Sequence, residues 1–186
     1  MFPRLIFPAF LLVAAFNLTS PLRAEPSAAT LHVEQDITGE PKVVKFQRTQ
    51  KRALIISVTN TSNAPLDVVV KHIIFGRDVL KREVVVVAQG DHPLKIAPLA
   101  TEKFETVSGS AVAVETHFDI STKKMIQGSG ATIVGQGVQV LQGGTVITES
   151  YEPPSMKEEW GKAAPLTAGA AATPAPAAKA TPAAKQ

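Results

Sequence analysis

Apolar and polar residues alternate in short runs from Leu31 to about Tyr151, and turn-forming residues separate the runs. This period of two is typical of half-buried strands, because successive side chains of a strand point to opposite faces. Helical periodicity is absent from the same stretch. The pattern therefore predicts an all-β domain of about seven or eight strands.

The clearest alternation runs from position 111 to position 120. We expect one set of side chains to be buried and the other to face outward. The expected buried set is Val112, Val114, Thr116, Phe118 and Ile120, and the expected outward set is Ala111, Ala113, Glu115, His117 and Asp119.

Two local signals predict how other strands are arranged. The run from Val84 to Val87 is apolar on both faces, which favours a central, covered strand. Gly143-Gly144 separates two runs with strand character, and paired glycines accept the positive φ of a two-residue hairpin loop. We therefore expect a tight hairpin at these glycines.

A short helical turn is predicted after the last strand. Ser155 and Glu158 have the spacing of a capping box, and Gly161 is a plausible helix stop. Met156 and Trp160 would then share one face of the turn. We expect the turn to cap the open end of the domain.

The two ends of the chain have compositions of their own. Residues 1–24 combine Arg4, an apolar run of about 12 residues and a small residue, Ala24, before Glu25, which is the order of a signal peptide. The run is shorter than the roughly 20 residues that cross a bilayer, and retention as an uncleaved anchor is the alternative. Residues 162–186 are mostly Ala, Pro, Thr and Lys and are predicted to be a disordered tail. The domain is therefore assigned to residues 25–161.

Charge and composition exclude several classes of function. The chain has 19 Lys and Arg against 16 Asp and Glu, and loss of Arg4 and Arg23 with the signal peptide leaves 17 basic residues. A nearly neutral chain does not favour binding of nucleic acid by charge. The absence of cysteine excludes thiol nucleophiles and thiolate metal sites. No Gly-x-Ser-x-Gly or His-Glu-x-x-His motif is present, so we predict no catalytic residues, no cofactor and no enzymatic activity.

One set of residues has the chemistry of a metal site. Glu115, His117 and Asp119 would lie on one outward strand face, where an imidazole and two carboxylates could share a divalent ion. His32, Glu34 and Asp36 repeat this pattern. A metal site would require His32 and His117 to be neighbours across paired strands. A solvated sheet face explains the same residues without metal.

Two further motifs concern the surface. Five basic residues occur in eleven positions without an acid, which would suit an anionic glycan or a lipid head group, or simply a solvated loop and strand edge. They are Lys42, Lys45, Arg48, Lys51 and Arg52. Asn60-Thr61-Ser62 matches a glycosylation sequon in a predicted loop, which matters only in a eukaryotic secretory pathway.

The segments 54–62, 65–66 and 73–78 resemble immunoglobulin-like modules exported by Gram-negative bacteria. The segments 135–144 and 152–155 are similar to the end of small exported proteins of that kind that lack an assigned activity. The chain is similar also to the FxLYD type of module, although it lacks that signature. The resemblance covers approximately residues 30 to 160 and implies an antiparallel immunoglobulin-like sandwich. A small barrel is the alternative architecture.

These observations lead to two main hypotheses about function, and a hydrolase, which would require a deep pocket, ranks last. The first is an exported interaction module, periplasmic, cell-surface or extracellular, that binds a protein, envelope or glycan partner through loops or a sheet edge. Its mature chain would contain no transmembrane segment. The alternative is a periplasmic metal-binding protein that uses His117, Glu115 and Asp119.

Overall fold

The computed structural model of the protein describes residues 27–36 and 42–166. The predicted signal peptide and residues 167–186 of the predicted tail lie outside the described residues. Within them the chain forms twelve strands and one short helix, α1 (Met156–Glu159). The strands are β1 (Ala29–Asp36), β2 (Lys42–Val44), β3 (Gln47–Asn60), β4 (Leu66–Asp78), β5 (Val84–Ile96), β6 (Thr101–Glu105), β7 (Gly109–Val114), β8 (His117–Asp119), β9 (Lys124–Ile126), β10 (Ser129–Gln142), β11 (Thr145–Glu152) and β12 (Ala164–Pro165).

The strands form two layers that are connected through the long strands β3 and β10. One layer consists of β1, the second half of β3 and β6. The other consists of β11, β10, β4 and β5 in that order, with β12 added beside β5. The first half of β3 pairs with β2 and β7, and β7 pairs with the start of β10, so that ten strands form one hydrogen-bonded network. The predicted all-β sandwich is confirmed, with twelve strands in the described residues instead of the predicted seven or eight, and with the short β12 paired in parallel where all other pairs are antiparallel.

The core lies between the two layers. Leu54, Ile56 and Val58 of β3 are fully buried, as the alternation in that strand predicts. Val70 and Ile74 of β4 pack against them in the same cluster. Alternate residues of β4 and β10 therefore face the core, and the residues between them face away from it.

The predicted faces of residues 111–120 are wrong. Ala111 and Ala113 of β7 are buried, whereas Phe118 is 53% exposed and Ile120 is 83% exposed. Two features explain the difference. The small alanines of β7 fit against the crowded core, and the chain leaves the sheet after Val114 to form a separate hairpin, β8–β9.

The predicted central position of Val84–Val87 is also wrong. These residues begin β5, which lies next to the edge of its layer and is covered there by the two-residue strand β12. β12 is paired in parallel with Val85 and Val86. Its residues belong to the segment that the composition assigned to the tail. The run is thus covered on its backbone edge by the chain itself.

The tight hairpin at Gly143-Gly144 is confirmed. Gln142 pairs with Thr145, and the two glycines have φ of 55° and 87°. The helical turn also forms, but Ser155 makes no side-chain capping hydrogen bond. The turn packs on β10, where Gly135 leaves room for Met156 and Gly137 leaves room for Trp160.

The sequon asparagine has a structural role. Asn60 is the last residue of β3 and is fully buried. Its Nδ2 donates hydrogen bonds to the carbonyl oxygens of Ala64, Ile96 and Ala97 at 2.7, 3.3 and 3.1 Å. Its Oδ1 accepts hydrogen bonds from the backbone N–H and the hydroxyl of Ser62. In the folded chain this amide is not accessible for glycosylation.

His72 is buried on the core side of β4. A Cβ on Gly90 would lie 2.7 Å from its Cε1, so the glycine makes room for the ring. Its Nδ1 is buried and has no hydrogen-bond partner among the described residues. Burial lowers the pKa of His72, an effect that Asp91 opposes and His92 reinforces.

We expect this histidine to make stability depend on pH. The unfolded chain takes up a proton at His72 below pH of about 6.5, whereas the folded chain does so only at lower pH. The free energy of unfolding should therefore fall as the pH falls below about 6.5. Urea unfolding between pH 7.5 and 5 should show this fall in the wild type and a smaller fall in His72→Gln. His32→Gln, at an exposed position, is the control, and equal pH dependence in all three proteins would contradict the expectation.

Candidate functional site

The β2–β3 hairpin places apolar and basic side chains together in solvent. Val43 pairs with Arg48 and Val44 with Gln47, which leaves Lys45 and Phe46 as the turn. Lys45 has a φ of 55°, as a two-residue hairpin turn requires. Val43 is 62% exposed, and Val44 and Phe46 are exposed as well.

The β8–β9 hairpin presents a second apolar surface. Phe118 pairs with Met125, so both side chains lie on the same face of the hairpin. They are 53% and 60% exposed. Lys123 lies in the turn between the two strands and Lys124 begins β9, so this hairpin carries positive charge as well.

The two hairpins contact each other through Phe46 and His117. The two rings are stacked, with centroids 3.9 Å apart and planes 10° apart. The backbone N–H of Glu115 donates to the carbonyl oxygen of Phe46 at 2.9 Å. We call residues 42–48 and 115–126 together the hairpin tip. Seven of the twelve large apolar side chains that are exposed in the described residues belong to it: Val43, Val44, Phe46, Phe118, Ile120, Met125 and Ile126.

The three predicted metal ligands all lie in this tip, and two of them, His117 and Asp119, have other local roles. His117 is fixed by the stack on Phe46 and by its Nδ1, which lies 2.8 Å from the carbonyl oxygen of Glu115. Asp119 accepts hydrogen bonds from the hydroxyls of Ser121 and Thr122 at 2.6 and 2.8 Å. Together these hydrogen bonds lower the pKa of Asp119 to about 2, and the bond from Ser121 has the largest effect.

The described residues contain no group of three or more His, Asp or Glu side chains that could hold a metal ion. His32 lies on β1, which pairs with β3, whereas His117 lies on β8, which pairs with β9. The metal hypothesis requires the two histidines to be neighbours across paired strands, and they are not. Nε2 of His32 instead lies 3.2 Å from Oε1 of Glu34. Metal binding by Glu115, His117 and Asp119 stays a prediction, and the described residues do not bring three such ligands together.

The predicted basic cluster is divided by the structure. Lys42, Lys45 and Arg48 belong to the hairpin tip, whereas Lys51 and Arg52 lie further along β3. Arg52 is half-buried, and its desolvation lowers its pKa against the opposing effect of Glu152. The positive charge at the tip thus comes from both hairpins. Two carboxylates, Glu115 and Asp119, oppose five cations: Lys42, Lys45, Arg48, Lys123 and Lys124.

A cleft of about 360 Å³ opens beside the tip. Arg48, Arg77 and Arg82 line it, together with Asp78 and Glu115. The carboxylate of Asp78 is already engaged, because its Oδ1 accepts hydrogen bonds from the backbone N–H groups that follow it at 2.8 and 2.7 Å. The cleft therefore adds guanidinium groups, which suit phosphate oxygens, to the positive charge of the tip.

Sequence reasoning found the basic cluster and the His/acid pattern but missed the apolar surface between them. The two hairpins are about seventy residues apart, and only the fold brings Phe46 to His117. The available signal was aromatic and aliphatic residues within segments rich in lysine. The assignment of Phe118 and Ile120 to the core removed them from consideration as surface residues.

The described residues contain no helix with the length and apolar character needed to cross a membrane. No family model matches the chain, and no curated protein does. The solved structures that resemble it include a structural genomics target, SoR45, at 9% identity with a TM-score of 0.36, where the match covers 67% of this chain and 85% of that chain. A protein from Akkermansia muciniphila is 14% identical with a TM-score of 0.35, over 72% of this chain and 76% of that chain.

A β-glucuronidase from Bacteroides uniformis is also similar, at 12% identity with a TM-score of 0.28. The match covers 62% of this chain and 15% of the enzyme. Likenesses at this level carry no argument about fold or activity. They do not support the FxLYD resemblance, and they assign the chain to no family.

Proposed function

We propose that this protein is a non-enzymatic, exported interaction module of the cell envelope, and that the hairpin tip docks on an anionic lipid surface. The observation that carries the proposal is the concentration of exposed apolar side chains in two hairpins that also present five cations. Several large apolar side chains exposed in one part of a small domain are typical of an interaction site.

The two kinds of side chain suit the two zones of a membrane surface. Each Lys or Arg near an anionic bilayer contributes about 1 kcal/mol of attraction. Phe118 and Met125 can enter the boundary between head groups and acyl chains, as the apolar side of a surface-bound element does. Stable attachment usually needs both contributions.

The geometry of the tip supports insertion without unfolding. Both hairpins are short and closed by their own hydrogen bonds. Only the side chains leave water, because the outer backbone edges of β2, β8 and β9 have no strand partner among the described residues and stay hydrated at the level of the head groups. The arginine-lined cleft beside the tip would place a lipid phosphate close to Arg48 and Arg77.

Vesicle binding tests the proposal. The protein should comprise residues 25–186, which retains every described strand and removes the apolar run at 5–16 that would bind vesicles by itself. We expect it to sediment with vesicles of phosphatidylcholine and phosphatidylglycerol, and much less with phosphatidylcholine alone. Phe118→Ser with Met125→Ser, and separately Lys123→Glu with Lys124→Glu, should each lower the partition constant about tenfold or more.

Matched substitutions away from the tip provide the controls. Val107→Ser removes an exposed valine between β6 and β7, and Lys95→Glu reverses a charge at the far end of β5. Both should bind vesicles like the wild type. Equal binding by the tip variants would reject the proposal. So would a stable dimer in light scattering that is lost in the Phe118 and Met125 variant, since the tip would then contact a second copy.

A further inference from the structure

β12 fixes the direction in which the chain leaves the described part of the domain. It pairs in parallel with Val85 and Val86 of β5. The N–H of Leu166 donates to the carbonyl oxygen of Val86 at 2.9 Å, so the ladder continues past the end of β12. The residues that follow Leu166 are therefore directed along the same edge of β5, toward Ile96.

The edge of β5 ahead of β12 is open. Over residues 88–96, β5 pairs only with β4 among the described residues. The unpaired N–H and C=O groups of such an edge are a template for a further strand. A space of about 440 Å³ lies beside the first part of this stretch, between Gln89, Asp91 and Trp160. It leaves room for small side chains next to the edge.

The chain beyond Leu166 begins with a segment that fits this edge in length and composition. Continuation of the β12 register would place residues 167–173 opposite residues 88–94. These seven residues are Thr, Ala and Gly, and the prolines of the tail begin at Pro174. Because proline cannot donate to a ladder, only the part of the tail before Pro174 suits an uninterrupted strand.

Covalent attachment favours this segment over a strand from another molecule. Ala and Gly have low β-propensity, so the side chains contribute little to pairing. Residue 167, however, starts beside its site because Leu166 is held at Val86. A segment tethered at such short range has an effective concentration on the order of millimolar. Pro93 removes one donor from the edge, which makes pairing by an untethered strand weaker still.

We infer that residues 167–173 extend β12 and pair in parallel with β5 along residues 88–94. The occupant of the open edge is thus the chain's own segment. The added strand protects the edge beyond the two residues that β12 covers. This pairing goes beyond the proposed function and does not depend on lipid docking.

The pairing also sets where the rest of the tail leaves the domain. Arg77 and Arg82, which line the cleft beside the hairpin tip, lie at the start of β5. A strand that runs in parallel with β5 ends near Lys95, at the opposite end. Residues 174–186 would therefore leave the domain at the end of β5 remote from the tip.

Hydrogen exchange tests the inference in two chains that retain every described strand. Residues 25–186 are compared with residues 25–166, which end directly after β12 and Leu166. We expect the amides at 88–94 that point away from β4 to exchange about tenfold more slowly, or slower still, in the longer chain. The physical reason is that these N–H groups gain hydrogen-bond acceptors from the added strand.

Proline substitutions in the longer chain identify the segment responsible. Ala171→Pro with Ala172→Pro should remove the protection, because neighbouring residues of a strand point their N–H groups to opposite edges and one of the two faces β5. Ala177→Pro with Ala178→Pro is the matched control beyond the segment. It should exchange like the unsubstituted chain.

Three outcomes would overturn the inference. One is equal exchange at residues 88–94 in the longer and the shorter chain. Another is protection that survives Ala171→Pro with Ala172→Pro. The third is protection that increases with protein concentration, because a second copy would then occupy the edge.

Discussion

Asn60→Asp is expected to lower the free energy of unfolding by about 3–5 kcal/mol at neutral pH. The substitution keeps the shape of the side chain but replaces the Nδ2 donor with an oxygen. That oxygen would face the carbonyl oxygens of Ala64, Ile96 and Ala97, which now accept hydrogen bonds. The site is fully buried, so water cannot take over the lost contacts.

Urea unfolding followed by circular dichroism measures this effect, and Asn63→Asp is the matched control. Asn63 lies in the same turn but is exposed, so its substitution should change stability by less than about 0.5 kcal/mol. The loss in Asn60→Asp should shrink at low pH, where a protonated carboxyl can again donate. A loss of less than about 1 kcal/mol at neutral pH would contradict the assigned role of the buried amide.

Gly130→Ala is the second substitution with a large expected effect. Gly130 has a φ of 84°, and an added Cβ would lie 1.9 Å from the carbonyl oxygen of Val112. The backbone of β7 or β10 must move to admit it, at the point where β10 pairs with β7. We expect a loss of about 3 kcal/mol or more, in the range of severe backbone and packing defects.

Gly143→Ala separates the two causes of this loss. Gly143 also has positive φ, 55°, but an added Cβ meets nothing within 4 Å. Its substitution should cost only the conformational strain, about 1–2 kcal/mol. Thermal unfolding of both variants gives the comparison. If they lose the same stability, the contact with Val112 does not determine the requirement for glycine at position 130.

The parts of the fold that the sequence predicted depend on local chemistry. The Gly143-Gly144 hairpin needs only two residues with positive φ, and these are visible in the sequence. The face of residues 111–120 depends on which layer the strand packs against and where the chain leaves it. Alternation alone cannot decide between Ala111 and Val112 as the buried residue, because either set satisfies a period of two.

The candidate site shows the same division. The basic residues of the β2–β3 hairpin and the His/acid pattern around His117 could be identified from spacing, but their joint surface could not. The stack of Phe46 on His117 is a long-range contact. Its formation depends on the path of β3 between two sets of partners, which no local pattern encodes.

The small strand β12 has a consequence for the behaviour of the protein at high concentration. It covers the backbone edge of Val85 and Val86, within four consecutive valines that combine high β-propensity with no charge. Such a segment, if its edge were open, would be a template for pairing between molecules and for amyloid-like growth. Ala164 and Pro165 therefore act as a gatekeeper for the valine run, and a chain shortened to Gly161 would lose that protection against aggregation.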